Sequence, residues 1–357
     1  MRRPSLPLAA AAATVVLAAL PAGAAGQTAD SDSMSVAWSG YVQIFGHAPV
    51  DGDGKVELYT LAIGIDAETT GIAGQRFGFH GLARIRDTEL REYYDTTVWA
   101  QEAYGWWDAP LGRLKAGKVY ALGGRFWDGS FFGNVQYFDG LKLDPDFGLS
   151  WEGAWAPPAP GGEPASWTLA WGAQWLFDSD GLNGALAGRD PETFDGVDEH
   201  DQIRLRLAPA WRPAAGVEAG IGGSWARKEL EGAGLDGVEV VDAALDAWVD
   251  VGWGEVYAEV LSRDADAAAV PVDPELEGDY LLLGARARRW GLEPYYNHSR
   301  VDYAGGAEEW IHQPGIAWSL SPRFTLLYEF DHWTREEPGG ERSFVDRSHN
   351  VVVVVVF

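Results

Sequence analysis

The chain has 357 residues and a formal charge of −26, from 27 basic and 53 acidic side chains. That balance excludes a nucleic-acid partner, which is held through basic footprints. There is no cysteine, so no disulfide framework can form, and an extracytoplasmic chain must gain its stability by other means, of which a closed hydrogen-bonded barrel is one.

Arg2 and Arg3 form a short basic head, Leu6 to Leu20 an apolar stretch, and Ala22-Gly23-Ala24 a small-x-small cleavage pattern. Residues 1–24 are therefore predicted to be a signal peptide, followed by a short segment over 25–34. The alternative, a permanent N-terminal transmembrane helix, suits this short and Ala-rich stretch poorly. From residue 35 onward apolar side chains recur at every second position. Val241, Ala243, Leu245, Ala247 and Val249 alternate with Asp242, Asp246 and Asp250. Val256, Ala258 and Val260 oppose Glu255, Tyr257 and Glu259, and Ile203, Leu205 and Leu207 oppose Arg204 and Arg206. Trp167, Leu169, Trp171, Ala173, Trp175 and Phe177 make one aromatic-rich face. A period of two belongs to strands. The bilayer core offers a free backbone N–H no partner, so strands cross it only as a closed cylinder. The expectation is an all-β fold, a transmembrane antiparallel β-barrel over 35–357, ending on Phe357. A soluble sandwich would also alternate, but rarely needs so many strands. The 18 Trp, 13 Tyr and 14 Phe fit two interfacial girdles.

The predicted strands are 35–46, 54–65, 73–86, 95–107, 112–121, 137–144, 147–156, 166–177, 200–211, 216–227, 238–250, 253–263, 278–288, 291–302, 309–319, 322–333 and 347–357. Asp144-Pro-Asp146 reads as one of several tight turns. Long acidic loops are expected at 178–199, 264–277 and 334–346, beside a Gly/aromatic loop at 122–136. That makes seventeen strands, whereas bacterial single-chain barrels have an even number. The surplus or missing strand must lie between 122 and 199, as a false strand within 137–156 or an overlooked one near 182–188. Sixteen strands are expected, with eighteen the alternative.

From Tyr104 the chain continues Gly-Trp-Trp-Asp-Ala-Pro-Leu-Gly-Arg-Leu-Lys-Ala-Gly-Lys-Val, then a Gly/aromatic loop, then Tyr137-Phe-Asp-Gly-Leu-Lys-Leu and Phe147-Gly-Leu-Ser-Trp-Glu. This resembles the segment of Gram-negative outer-membrane porins in which a short hairpin leads into the pore-narrowing third loop. The loop lacks the Pro-Glu-Phe-Gly-Gly signature of enteric general porins. The resemblance implies a general-diffusion channel in the outer membrane of a Gram-negative bacterium. It also implies a homotrimer, contact with lipid and lipopolysaccharide, occasional surface Ca²⁺, and the barrel assembly machinery reading Phe357 as an assembly signal.

Charged residues at mid-strand are costly on the lipid face and so are expected to line a lumen. The basic set is Arg84, Arg86, Lys115, Arg204, Arg206, Arg286 and Arg288; the acidic set is Asp242, Asp246, Glu255, Glu259, Glu329 and Asp331. Opposed across a narrow lumen, they would impose a transverse field; the plainer alternative is ion pairing along the wall. The 122–136 loop is the expected inward-folded constriction, with Phe126, Trp127, Phe131 and Phe132 as anchors and Arg125 and Asp128 at the aperture. Its alternative is an exposed aromatic loop. The same parity places Val352, Val354 and Val356 inward, an atypical set for a pore.

No enzyme chemistry is expected. His298 and Ser299 are adjacent in a strand and point to opposite faces, as do Ser348 and His349. The seven His show no metal spacing, and no phosphate-binding loop occurs. The Asp51-Gly-Asp53-Gly54 run starts like a calcium loop but lacks the closing ligands. No cofactor is expected. A passive water-filled channel for small hydrophilic solutes is the leading reading. The others are a solute-specific channel with a saturable site and a plugged structural or adhesive barrel.

Overall fold

The computed structural model describes residues 34–71, 75–85, 98–125, 145–158, 165–177, 198–231, 235, 237–266 and 274–357. The predicted signal peptide, nearly all of 25–34, Arg86, Asp128 and the rest of 126–144 lie outside the described residues. So does 182–188.

Sixteen strands follow one another: β1 (Ser35–Pro49), β2 (Lys55–Thr70), β3 (Arg76–Ile85), β4 (Val98–Ala109), β5 (Gly112–Tyr120), β6 (Pro145–Trp155), β7 (Trp167–Leu176) and β8 (Asp198–Ala214), then β9 (Val217–Glu231), β10 (Val238–Asp250), β11 (Gly254–Ala265), β12 (Gly278–Ala287), β13 (Leu292–Tyr303), β14 (Glu308–Ser321), β15 (Phe324–Glu336) and β16 (Arg342–Val356). Each pairs with its sequence neighbours, and β1 pairs antiparallel with β16, which closes the cylinder. Closure leaves no sheet edge inside the membrane.

The closed order corrects the seventeen-strand reading. β6 pairs directly with β5 and with β7, and β7 with β8, so the barrel has no place for a further strand at 137–144 or near 182–188. Pro145 and Asp146 are the first residues of β6, not a turn between two barrel strands. Local alternation cannot expose this error, because a short apolar run reads as a strand until its pairing partner is known. The loop expected at 334–346 shrinks to 337–341, since β15 and β16 run past their apolar stretches.

Side chains follow the two-residue period along the strands, interrupted by register shifts in the pairs β1/β2, β3/β4, β8/β9, β14/β15 and β15/β16. On β10, Leu245 is 67% exposed while the next residue, Asp246, is 3% exposed. Apolar residues therefore face lipid, and the polar set faces inward. Connections after even-numbered strands are mostly short, as at 215–216, 251–253 and 288–291; those after odd-numbered strands include the long ones. Gly216, Gly252 and Gly291 supply the positive φ that three of these tight turns need (72°, 79° and 77°). Trp38, Trp155, Trp211, Trp253, Trp290 and Trp318 are exposed near this short-turn rim, where indole rings suit the interface.

The C-terminal valines have a structural explanation. Val352 is buried against Phe45 of β1, with Leu327 of β15 and Val354 packed beside them. This apolar island spans the closing seam from inside. Beyond it, Gly40 and Phe357 exchange two backbone hydrogen bonds of 3.1 and 2.9 Å.

The outward face is not uniform. On β13 to β16 it carries His298, stacked on His312 at 4.6 Å, followed by His332 and His349. Tyr296 and His312 share a hydrogen bond of 2.6 Å, and Tyr328 and His349 one of 2.9 Å, so these polar atoms are satisfied locally.

Candidate functional site

The inner wall is a mosaic of paired charges. On β5, Lys115 donates to both carboxylate oxygens of Glu152 at 2.9 Å. Arg84 on β3 lies over the Tyr41 ring at 5.8 Å. Arg204 on β8 donates to Gln202 at 3.1 and 2.9 Å. Asp242 on β10 accepts two bonds from Arg263 on β11, at 2.7 and 3.0 Å.

Arg206 on β8 pairs with Asp246 on β10 at 2.8 Å, although β9 lies between them. Gly222 of β9 makes this possible: a Cβ there would clash with the Asp246 carboxylate and stand 2.7 Å from the Arg206 guanidinium. The missing side chain is the gap through which the pair meets.

The next cluster sits lower, near the short-turn rim. Glu255 on β11 receives Arg286 at 3.5 Å and Arg288 at 3.3 Å, and both arginines also reach Glu293 on β13. Arg288 lies in the turn after β12 and donates to Asp250 at 2.9 Å. That carboxylate pushes the Arg288 guanidinium above its ordinary value, so it stays charged at any working pH. Further round the same wall, on β13 to β16, Glu329 accepts from Tyr295 at 2.7 Å, and Asp331 accepts from Gln313 at 3.1 Å and Asn350 at 2.9 Å.

Basic and acidic residues are thus interleaved along β8 to β12, not segregated across the lumen. The transverse field expected from two opposed sets gives way to strand-to-strand ion pairs. Of the predicted charges, only Glu329 and Asp331 form a wall of a single sign among the described residues.

The segment after β5 ties this wall together. Leu122 N–H donates to the Gln174 side chain on β7 at 2.6 Å, and its carbonyl accepts from Arg204 on β8 at 3.3 Å. Three residues on, the Arg125 backbone N–H donates to Glu259, and its guanidinium donates to Glu255 at 2.7 Å. The chain has passed along the inner wall from β5 to β11. The Arg125 guanidinium also lies 3.8 Å from Asp246, and over the rings of Trp248 at 4.6 Å and Tyr257 at 5.4 Å. Arg125 is therefore where the charge mosaic converges, and each of these contacts is on β10 or β11.

This path inside a closed sixteen-strand cylinder decides the fold comparison. It has the porin fold. The outer-membrane channel DcaP of Acinetobacter baumannii superposes with TM-score 0.63 at 10% identity, over 94% of this chain and 100% of that one. OmpF of Salmonella typhi gives 0.62 at 14% identity, over 92% and 98%. An anion-selective porin from Comamonas acidovorans gives 0.61 at 14% identity, over 91% and 100%. No family model and no curated protein matches the sequence.

Several lumen residues stand outside the two predicted charge sets. Gln174, Arg263, Trp248 and Asn297 all carry part of the network. Trp248 shares the even parity of Asp242, Asp246 and Asp250, and that signal is enough to place it inside. Parity likewise places Arg263 beside Glu255 and Glu259 on β11, and Gln174 opposite the aromatic face of β7; only their partners need the register.

Proposed function

We propose that this chain is a water-filled channel in the outer membrane of a Gram-negative bacterium, passing small hydrophilic solutes and ions by passive diffusion. The observation that carries this reading is the path of residues 121–125, which run along the inside of a closed cylinder and end on a charged wall. A polar inner face suits hydrated solutes, and charges at a narrow point tune which of them pass. The reading assigns no catalytic residue and calls for no cofactor. It makes the chain a homotrimer among lipid and lipopolysaccharide, inserted by the barrel assembly machinery with Phe357 as the signal.

Single-channel recording of the refolded protein in a planar bilayer tests it. Stable conductance steps, grouped in threes for a trimer, are the expected result. Well-folded protein that does not conduct would overturn the diffusion reading in favour of a plugged barrel. Deleting Phe126 to Phe132 is expected to raise the conductance; an unchanged value moves the constriction elsewhere. A second reading, a channel with a saturable solute site, is favoured by one observation: a guanidinium held between aromatic rings and carboxylates at Arg125.

A further inference from the structure

The place occupied by the Arg125 side chain has the composition of a binding site for a cation. Its floor is two aromatic faces, Trp248 and Tyr257, at 4.6 and 5.4 Å from the guanidinium carbon. Its rim is Glu255, at 2.7 Å from one guanidinium nitrogen, and Asp246, at 3.8 Å from another. Aromatic faces attract guanidinium and ammonium groups through the ring quadrupole, more strongly where water is excluded. The rings themselves are fixed by the wall: Tyr257 lies over Gly284, where any Cβ would collide with the ring, and donates to Asn297 at 2.6 Å. Trp248 lies over Gly220 in the same way. Both platforms are therefore preformed and do not depend on Arg125 to shape them.

The surrounding charge points the same way. Asp246, Asp250, Glu255, Glu259 and Glu293 bring five carboxylates around this place, and the wall arginines Arg206, Arg286 and Arg288 pair with four of them. Arg125 adds a further cation to the same group, and it arrives on a connecting segment and not on a strand. It is attached there through its guanidinium and one backbone N–H.

We propose that Arg125 is a tethered stand-in for a solute, and that the site it fills recognises small organic cations bearing a guanidinium or primary ammonium group. An incoming cation of this class competes with the Arg125 side chain for the two rings and Glu255. The pore then favours such solutes over neutral or anionic ones of equal size. This rests on the channel reading for its transport consequence, but the binding site itself does not.

The test is current block by L-arginine and by agmatine (a decarboxylated guanidinium amine) in planar bilayers, with glucose and glutamate as controls. The wild type is expected to show saturable block by the two cations alone. Arg286 also lies over the Tyr257 ring, at 5.5 Å, and stays in place; Arg125→Ala removes the competitor that covers both rings and is expected to tighten that block about tenfold, within the range a desolvated cation–π and ion-pair site provides. Glu255→Gln is expected to weaken it, as is Trp248→Leu, which leaves the ion pairs intact. Equal block in wild type, Arg125→Ala and Trp248→Leu would overturn the proposal, as would block by glucose of equal strength. If the refolded barrel does not conduct, calorimetric titration with agmatine takes the place of current. Tighter binding by Arg125→Ala would then uphold the site while the channel reading fails, and no binding by either protein would sink the site.

Discussion

Gly222 shows how much a single missing side chain can organise. It lets Arg206 and Asp246 meet across an intervening strand, and that pair in turn forms part of the charge facing Arg125. Gly222→Ala is therefore expected to destabilise the barrel by about 1–3 kcal/mol, the usual cost of forcing atoms into a filled site. Urea unfolding in lipid vesicles, followed by tryptophan fluorescence, measures it; an unchanged midpoint would mean that the pair simply slides aside. Tyr257→Phe is a gentler probe. It deletes the hydroxyl that donates to Asn297 and keeps the ring, so a loss of about 0.5–1.5 kcal/mol is expected with little change in cation block. Loss of block in that variant would show that the hydroxyl, not the aromatic face, does the recognising.

The alternating strand is the unit on which lipid and lumen are told apart. Leu245 points out and Asp246 points in, one residue apart on β10. Leu245→Arg is expected to cost about 2–4 kcal/mol if the residue lies near mid-membrane, and much less if it lies near a rim. The measured cost thus reads the depth of β10 in the bilayer. This parity is legible in the sequence, and it carries most of the fold: alternation predicts a strand over 238–250, and β10 spans Val238–Asp250. Parity also assigns Arg204, Asp242, Asp246, Glu259, Glu329 and Asp331 to the inside, and all six are buried on the inner face. What parity cannot supply is register. Asp242 and Arg263 meet because β10 and β11 align Asp242 opposite Arg263, a fact set by the turn at 251–253 and not by either strand. The strand count between β5 and β7 and the partners of Arg125 share that cause. The contact between Arg125 and Glu255 spans 130 positions, and nothing local encodes it. The histidine row on β13 to β16 is a different case: parity points these residues outward, yet gives no reason for polar rings on that face.

At the scale of the whole molecule, the closed cylinder makes its first and last strands interdependent. Deleting Phe357 removes two backbone hydrogen bonds and a ring lying against Gly40. The variant is expected to insert into vesicles more slowly and to give less of the compact, heat-modifiable band on cold gels. Insertion at the wild-type rate would show that the island of Phe45, Val352 and Leu327 suffices to hold the seam. The seam has a temporal meaning as well. His47 and Asn350 bond at 2.8 Å across 303 positions of sequence, and pairing this non-local is slow because loop closure must come before the contacts that reward it. Until it happens, β1 and β16 both present unpaired edges that are open to pairing with other chains. Pairing β1 with β16 hides both edges in a single event, so the seam is the step at which the sheet stops being a template for other chains.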